Sequence, residues 1–237
     1  MKKMLAILLA SVMTLSLCAC GLDSPSADSI RGEQIDDGTP EFEAPIDSIE
    51  IPEVTDAAEF SLGDTSGITY ESKFIGIGFN LPAGWSFYTD EQIKELNNFS
   101  IEASGEELQE LVENATLIYD MFASDADGAN NINVNLEKVN PLQLIGLDLK
   151  QNLENSVPVI RTSYENMGAS LRDYKVDTIT LDGTDFVCMY STVDFPHVTI
   201  YQCALSIKCN GYIASVTVTA MDEATLSEIL NAIYVVE

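Results

Sequence analysis

The sequence predicts an α+β fold in which helices pack on an antiparallel sheet, and three observations carry that reading. In the last third, four apolar segments are separated by turn signals at Asp182-Gly183, Phe195-Pro196 and Asn210-Gly211, the pattern of a hairpin meander. Before them, Leu149, Leu153, Val157, Ile160, Tyr164 and Met167 recur at three to four residues, the stripe of an amphipathic helix. Earlier still, Ile75, Ile77, Phe79 and Leu81 alternate with Gly76, Gly78 and Asn80, the two-residue period of a strand with one buried face. Runs of strands with separate helices, rather than strict alternation of the two, place the chain in the α+β class.

The elements follow in order. Pro82, Ala83 and Gly84 end the early strand, and Trp85 follows. Thr89-Asp90-Glu91-Gln92 fits a capping box and starts a short helix to about Asn97. Ser104-Gly105-Glu106-Glu107 repeats that logic for a helix through Leu108, Leu111 and Val112. The segments TLIYDMFAS and NINVNLEKV flank the turn Asp125-Ala126-Asp127-Gly128 and read as a hairpin. Pro158 lies inside the long helical stripe, so a kink or break is expected there. In the meander, an Asn210-Gly211 loop pairs Cys209 with Tyr212, Ile207 with Ala214, Leu205 with Val216 and Cys203 with Val218. A Phe195-Pro196 loop pairs Tyr190 with Tyr201, Cys188 with Cys203 and Phe186 with Leu205; Asp182-Gly183 pairs Ile179 with Phe186. These registers put the apolar members on one common face, which describes a one-sided meander. Asp222 is placed to cap a last helix using Leu226, Ile229, Leu230 and Ile233.

The N-terminus addresses the chain. Met1-Lys2-Lys3 precedes an apolar run from Met4 to Leu17, shorter than the roughly 20 residues that span a bilayer. Leu17-Cys18-Ala19-Cys20 resembles the bacterial lipobox read by lipoprotein signal peptidase. That resemblance implies that residues 1–19 are a signal peptide and that Cys20 becomes the lipidated (diacylglyceryl, palmitate-bearing) N-terminus. It also implies anchorage in a bacterial cell membrane, on its extracytoplasmic face. The alternative is a plain secretory signal with a coincidental cysteine. Residues 20–67 are acidic, carry prolines at 25, 40, 45 and 52, and show no sustained apolar period. Such a segment buries too little apolar surface to offset its ordering entropy, and it reads as a disordered tether before a domain at 68–237.

The chain has 237 residues and a net charge of −27, with 11 Lys and Arg against 38 Asp and Glu. That excess excludes nucleic acid as a partner, since its binding draws on basic side chains against phosphate. It leaves the acyl chains, rather than a basic patch, as the link to the membrane.

Tyr70, Phe74, Ile77, Phe79, Pro82, Gly84 and Trp85 together resemble the opening of PsbP-like domains, the family of the photosystem II extrinsic subunit. The resemblance implies a PsbP-like αβα sandwich over residues 68–237 and a binding or assembly role with a protein partner rather than a reaction. No functional residue transfers with it, and Trp85 reads as a core anchor.

Catalytic chemistry needs groups that exchange protons or hold charge near neutral pH. The single histidine, His197, sits beside the Phe195-Pro196 corner and reads as a solvated loop residue. Ala123 to Gly128 mimics the middle of a calcium loop, but its first position is Ala123 and its twelfth Val134, where the EF-hand needs Asp and Glu. Cys203 and Cys209 share a strand, about 20 Å apart at the usual rise, and cannot bond to each other. Cys188 and Cys203 leave open either a cross-strand disulfide or two buried thiols. No catalytic residue, metal site or cofactor is expected. The function so read is a non-enzymatic, membrane-anchored binding or assembly module, with a small-molecule or cation-binding lipoprotein as the alternative and a hydrolase less favoured.

Overall fold

The computed structural model describes residues 59–236, so the expected signal peptide, Cys20 and most of the expected tether lie outside the described residues. Within them, every paired strand is antiparallel. In chain order the elements are β1 (Asp64–Ser66), β2 (Thr69–Ser72), β3 (Ile77–Asn80), β4 (Ser86–Phe87), α1 (Asp90–Leu96), α2 (Gly105–Asn114), β5 (Leu117–Ser124), β6 (Asn131–Lys138), α3 (Pro141–Ile145) and α4 (Leu149–Asn166). There follow β7 (Ser170–Leu181), β8 (Thr184–Phe195), β9 (Val198–Cys209), β10 (Tyr212–Ala220), α5 (Glu223–Asn231) and β11 (Ile233–Val235). A seven-stranded sheet has the order β4-β5-β6-β10-β9-β8-β7, and a four-stranded one β1-β2-β3-β11. The α+β class expected from the periodicities is the one observed.

The meander β7 to β10 forms as the turn signals require. Asp182 and Gly183 both have positive φ, 48° and 79°, while at the next Xaa-Gly turn only Gly211 does, at 74°. The register across Asn210-Gly211 is the expected one, with Leu205 opposite Val216 and Cys203 opposite Val218. The β8–β9 turn differs. Phe195 pairs with Val198, so Pro196 and His197 form the loop, Cys188 faces Leu205, and Cys203 faces Tyr190. Proline suits the first loop position, where its fixed φ belongs; at the second it would drive Phe195 out of the helical region. Cys188 and Cys203 are therefore diagonal neighbours rather than directly opposed; both are buried free thiols, and Cys209 is a half-buried free thiol.

The large sheet is covered on both faces, not one. Cys203, Leu205, Ala214, Val216 and Val218 face a core shared with Tyr70, Ile77 and Phe79 of the small sheet and Leu226, Ile229 and Leu230 of α5. The other face carries Met189, Val193, Ile200 and Ile213 beneath Leu153, Val157, Ile160 and Tyr164 of α4. The alternate positions that look solvent-directed in sequence thus hold a second core.

Other local expectations resolve in both directions. The Thr89 box is complete: Gln92 N donates to Thr89 Oγ1 at 3.3 Å and Thr89 N to Gln92 Oε1 at 2.9 Å. Ser104 occupies the N-cap of α2 but its side chain receives no capping hydrogen bond. α4 runs unbroken through Pro158, whose exposed position lets water satisfy the carbonyl that loses its donor. Ile233 leaves the last helix for β11 and pairs with Phe79. Residues 60–67, assigned by composition to the tether, contain β1, and Phe60 stacks on Tyr212 and meets Phe74 edge-on. A three-residue strand is too short to show a period, and one aromatic supplies the packing. Trp85 is half-buried against the main core, and His197 is exposed on its turn.

Candidate functional site

The outer edge of β5 is only partly covered by a strand. β4 pairs with it only through Ser86 and Phe87, opposite Ser124 and Ala123. Further along, Asn97, just beyond α1, stands in for the missing strand: its Oδ1 accepts from Tyr119 N at 2.7 Å and its Nδ2 donates to Tyr119 O at 2.8 Å. Between Tyr119 and Met121 the register shifts, leaving Asp120 as the extra residue of a β-bulge. Bulges re-aim a side chain out of the regular alternation.

Asp120 Oδ2 accepts the Tyr70 hydroxyl at 2.7 Å, and the Gly63 N–H is shared between both carboxyl oxygens at 3.0 Å each. Position 63 requires glycine, because a Cβ there would lie 2.4 Å from the Tyr70 ring. Burial pushes the Asp120 carboxyl up to about 6, with Asp64 adding to the shift; the hydrogen bonds from Tyr70 and Gly63 oppose it. Burial, then the Asp120 charge, pushes the Tyr70 hydroxyl well above the ordinary phenol range.

Asp120 is among the residues lining a cavity of about 390 Å³ between α1, α2 and β5. Leu62, Phe87, Ile93, Phe99, Leu108 and Met121 give it apolar walls. Its other charged lining groups are Asp90 and Lys94, and the Lys94 ammonium donates to the carbonyls of Ala103 at 2.7 Å and Ile101 at 3.2 Å. The lining holds no histidine or cysteine. A buried carboxyl beside apolar walls can receive a hydrogen-bond donor or a cation.

The residues singled out in the sequence do not assemble here. Cys20 lies outside the described residues. Cys188 and Cys203 sit in the main core, where their mutual hydrogen bond and burial push the Cys203 thiol up; burial takes Cys209 to about 12. Asp125 closes its own turn, accepting from the backbone N–H of Ala129 and Asn130 and from the Asn130 amide. Among the described residues, no group of three or more His, Cys, Asp and Glu is placed to hold a metal ion. Asp120 went unread, although a lone charge inside the apolar segment LIYDMFA was a visible signal.

No protein-family model matches the sequence, and comparison with curated proteins finds no significant match. Among solved structures, the chain is similar to cyanobacterial PsbP (CyanoP) from Synechocystis sp. PCC 6803, at 14% identity and a TM-score of 0.41, covering 73% of this chain and 98% of that one. LpqN of Mycobacterium tuberculosis, described as involved in cell envelope biogenesis, is similar at 13% identity and a TM-score of 0.36, over 68% of this chain and 83% of that one. A protein from Bacteroides thetaiotaomicron VPI-5482 is similar at 10% identity and a TM-score of 0.36, over 73% of this chain and 50% of that one, so this chain spans half its length. Over the described residues the chain is an α+β protein with helices on antiparallel sheets.

Proposed function

We propose that this chain is a non-enzymatic binding or assembly module, tethered by a lipid on Cys20 to the extracytoplasmic face of a bacterial cell membrane. The observation that carries the reading is the sequence Leu17-Cys18-Ala19-Cys20 behind a basic start and an apolar run. Among the described residues no helix is long and apolar enough to cross a membrane. The net charge of −27 fits a solvated surface and gives no basic patch for nucleic acid or anionic lipid.

The partner is proposed to be a protein. Cross-linking of the anchored chain in its own host tests this: a discrete adduct that forms with the native chain and is lost when Cys20→Ala removes it from the membrane supports the reading. Uniform, concentration-driven adducts with many proteins count against it. The cavity beside Asp120 favours a second reading, a small-molecule-binding lipoprotein, because its apolar walls and the buried Asp120 carboxyl have the form of a ligand pocket.

A further inference from the structure

We propose that the cavity beside β5 binds a small organic cation, an alkyl- or arylalkylamine, with its ammonium on Asp120 and its apolar body between α1 and α2. The proposal rests on the small-molecule reading above and names its ligand class.

The volume of about 390 Å³ falls within the range of roughly 300–1,000 Å³ typical of small-molecule sites. The apolar side chains Leu62, Phe87, Ile93, Phe99, Leu108 and Met121 reach it from six segments of the chain, so a hydrocarbon or aromatic body is favoured over a polyol. The carboxyl decides the charge. Its present donors, Tyr70 and Gly63, are neutral, and Oδ1 accepts only the shared Gly63 N–H, which leaves acceptor capacity for another donor. The side-chain ion pairs among the described residues are Arg172–Asp194 and Lys175–Asp177, so Asp120 belongs to neither. Lys94 borders the same cavity but is directed to two carbonyls of the loop after α1. A charge-assisted hydrogen bond to a partly buried carboxylate is stronger than one in water, and the overall net charge of −27 concentrates cations near the surface. An anion would face the same field with the opposite sign.

The groups acting on the carboxyl are Tyr70 of β2 and Asp64 of β1, and the other titratable groups lining the cavity are Tyr88 before α1, Asp90 and Lys94 of α1 and Tyr119 of β5; the lining residues of α2 include none that titrate. Protonation of Asp120 near pH 6 therefore removes the charge that an ammonium would meet.

The test uses the full chain in lipid nanodiscs, with empty nanodiscs as the blank. Phenethylamine and its neutral isostere 2-phenylethanol are titrated at pH 7.5 and followed by ligand-observed NMR. The amine is expected to bind about tenfold or more tightly than the alcohol, a difference of about 1.4 kcal/mol. Asp120→Asn should abolish that advantage while leaving the alcohol within about twofold, and lowering the pH to 5 should do the same. Equal binding of the two probes, no amine binding, or amine affinity unchanged in Asp120→Asn overturns the proposal. Because Asp120→Asn also weakens the hold on Gly63, Leu108→Trp serves as a second variant. It fills the cavity with Asp120 intact and should lose both probes; retention of both overturns the location. Loss of amine binding in a chain that still anchors through Cys20 and still cross-links one partner sinks the ligand class alone.

Discussion

The hydroxyl of Tyr164, on the inward face of α4, donates a 2.5 Å hydrogen bond to Oε1 of Gln202 in the middle of β9. Gln202 Nε2 in turn donates to Thr219 Oγ1 of β10 at 3.1 Å, and Ser191 of β8 reaches the same Oε1 at 3.4 Å. One buried carboxamide therefore joins the long helix to three adjacent strands. Tyr164→Phe removes the donor and keeps the ring, so it should destabilise by about 1–2 kcal/mol. Tyr174→Phe, at an exposed position, should stay within about 0.5 kcal/mol. Urea midpoints at unchanged m-value decide between them; equal midpoints would show that the Gln202 hub contributes nothing to stability.

Asp120 makes stability depend on pH in an unusual direction. Its folded-state pKa of about 6 lies above the unfolded value of about 3.9, so the folded chain takes up this proton first as pH falls. The burial penalty is fully present above pH 6, declines as pH falls through 6, and is gone below about 4. Relative to Asp120→Asn, the native chain should gain about 1–2 kcal/mol between pH 7.5 and 5. Parallel pH profiles of the two proteins would contradict this.

The meander register is checked by three substitutions. Gly211 has φ of 74° with open space where a Cβ would stand, so Gly211→Val should cost about 1 kcal/mol or more through backbone strain alone. Leu205 is fully buried, and Leu205→Ala should cost about 2–5 kcal/mol. Lys208 is exposed and its ammonium meets only the Leu147 carbonyl, so Lys208→Ala should fall within about 0.5 kcal/mol. Denaturant midpoints that reverse the order of Leu205 and Lys208 would invert the register.

Anchorage has its own test. Cys20→Ala should move the protein from the membrane to the soluble fraction after cell lysis, because no basic patch replaces the acyl chains, each buried CH₂ of which contributes about 0.8 kcal/mol. Continued sedimentation of a processed mutant chain with membranes would refute the lipid anchor.

Turn chemistry and periodicity made the meander legible down to individual pairs. Asp-Gly and Asn-Gly admit few backbone solutions, and a strand's two faces follow from alternation. The slip at Phe195-Pro196 came from placing proline second in its loop, where its ring constrains the residue before it. β11 and β1 were not readable, since three residues carry no period; β1 exists by pairing with its neighbour β2, and β11 by pairing with the distant β3. Asp120 was unread for a related reason: periodicity marks which residues share a face, and a bulge suspends that rule for one residue.

What the sequence by itself determined were the local and compositional facts: the lipobox-like start, the acidic stretch, the caps at Thr89 and Asp222, the turns, the long helix and the α+β class. Each rests on interactions within a few residues or on bulk charge. Only tertiary structure decided what covers each face. Asn131, Asn133 and Asn135 alternate with Ile132, Val134 and Leu136 as a solvent-facing row would, yet all three are buried, Asn133 completely. Burial is a property of the neighbours brought above a residue, and alternation along one strand cannot name them. The cavity at Asp120 has the same origin, as Gly63, Tyr70 and Asp120 meet from positions up to 57 residues apart.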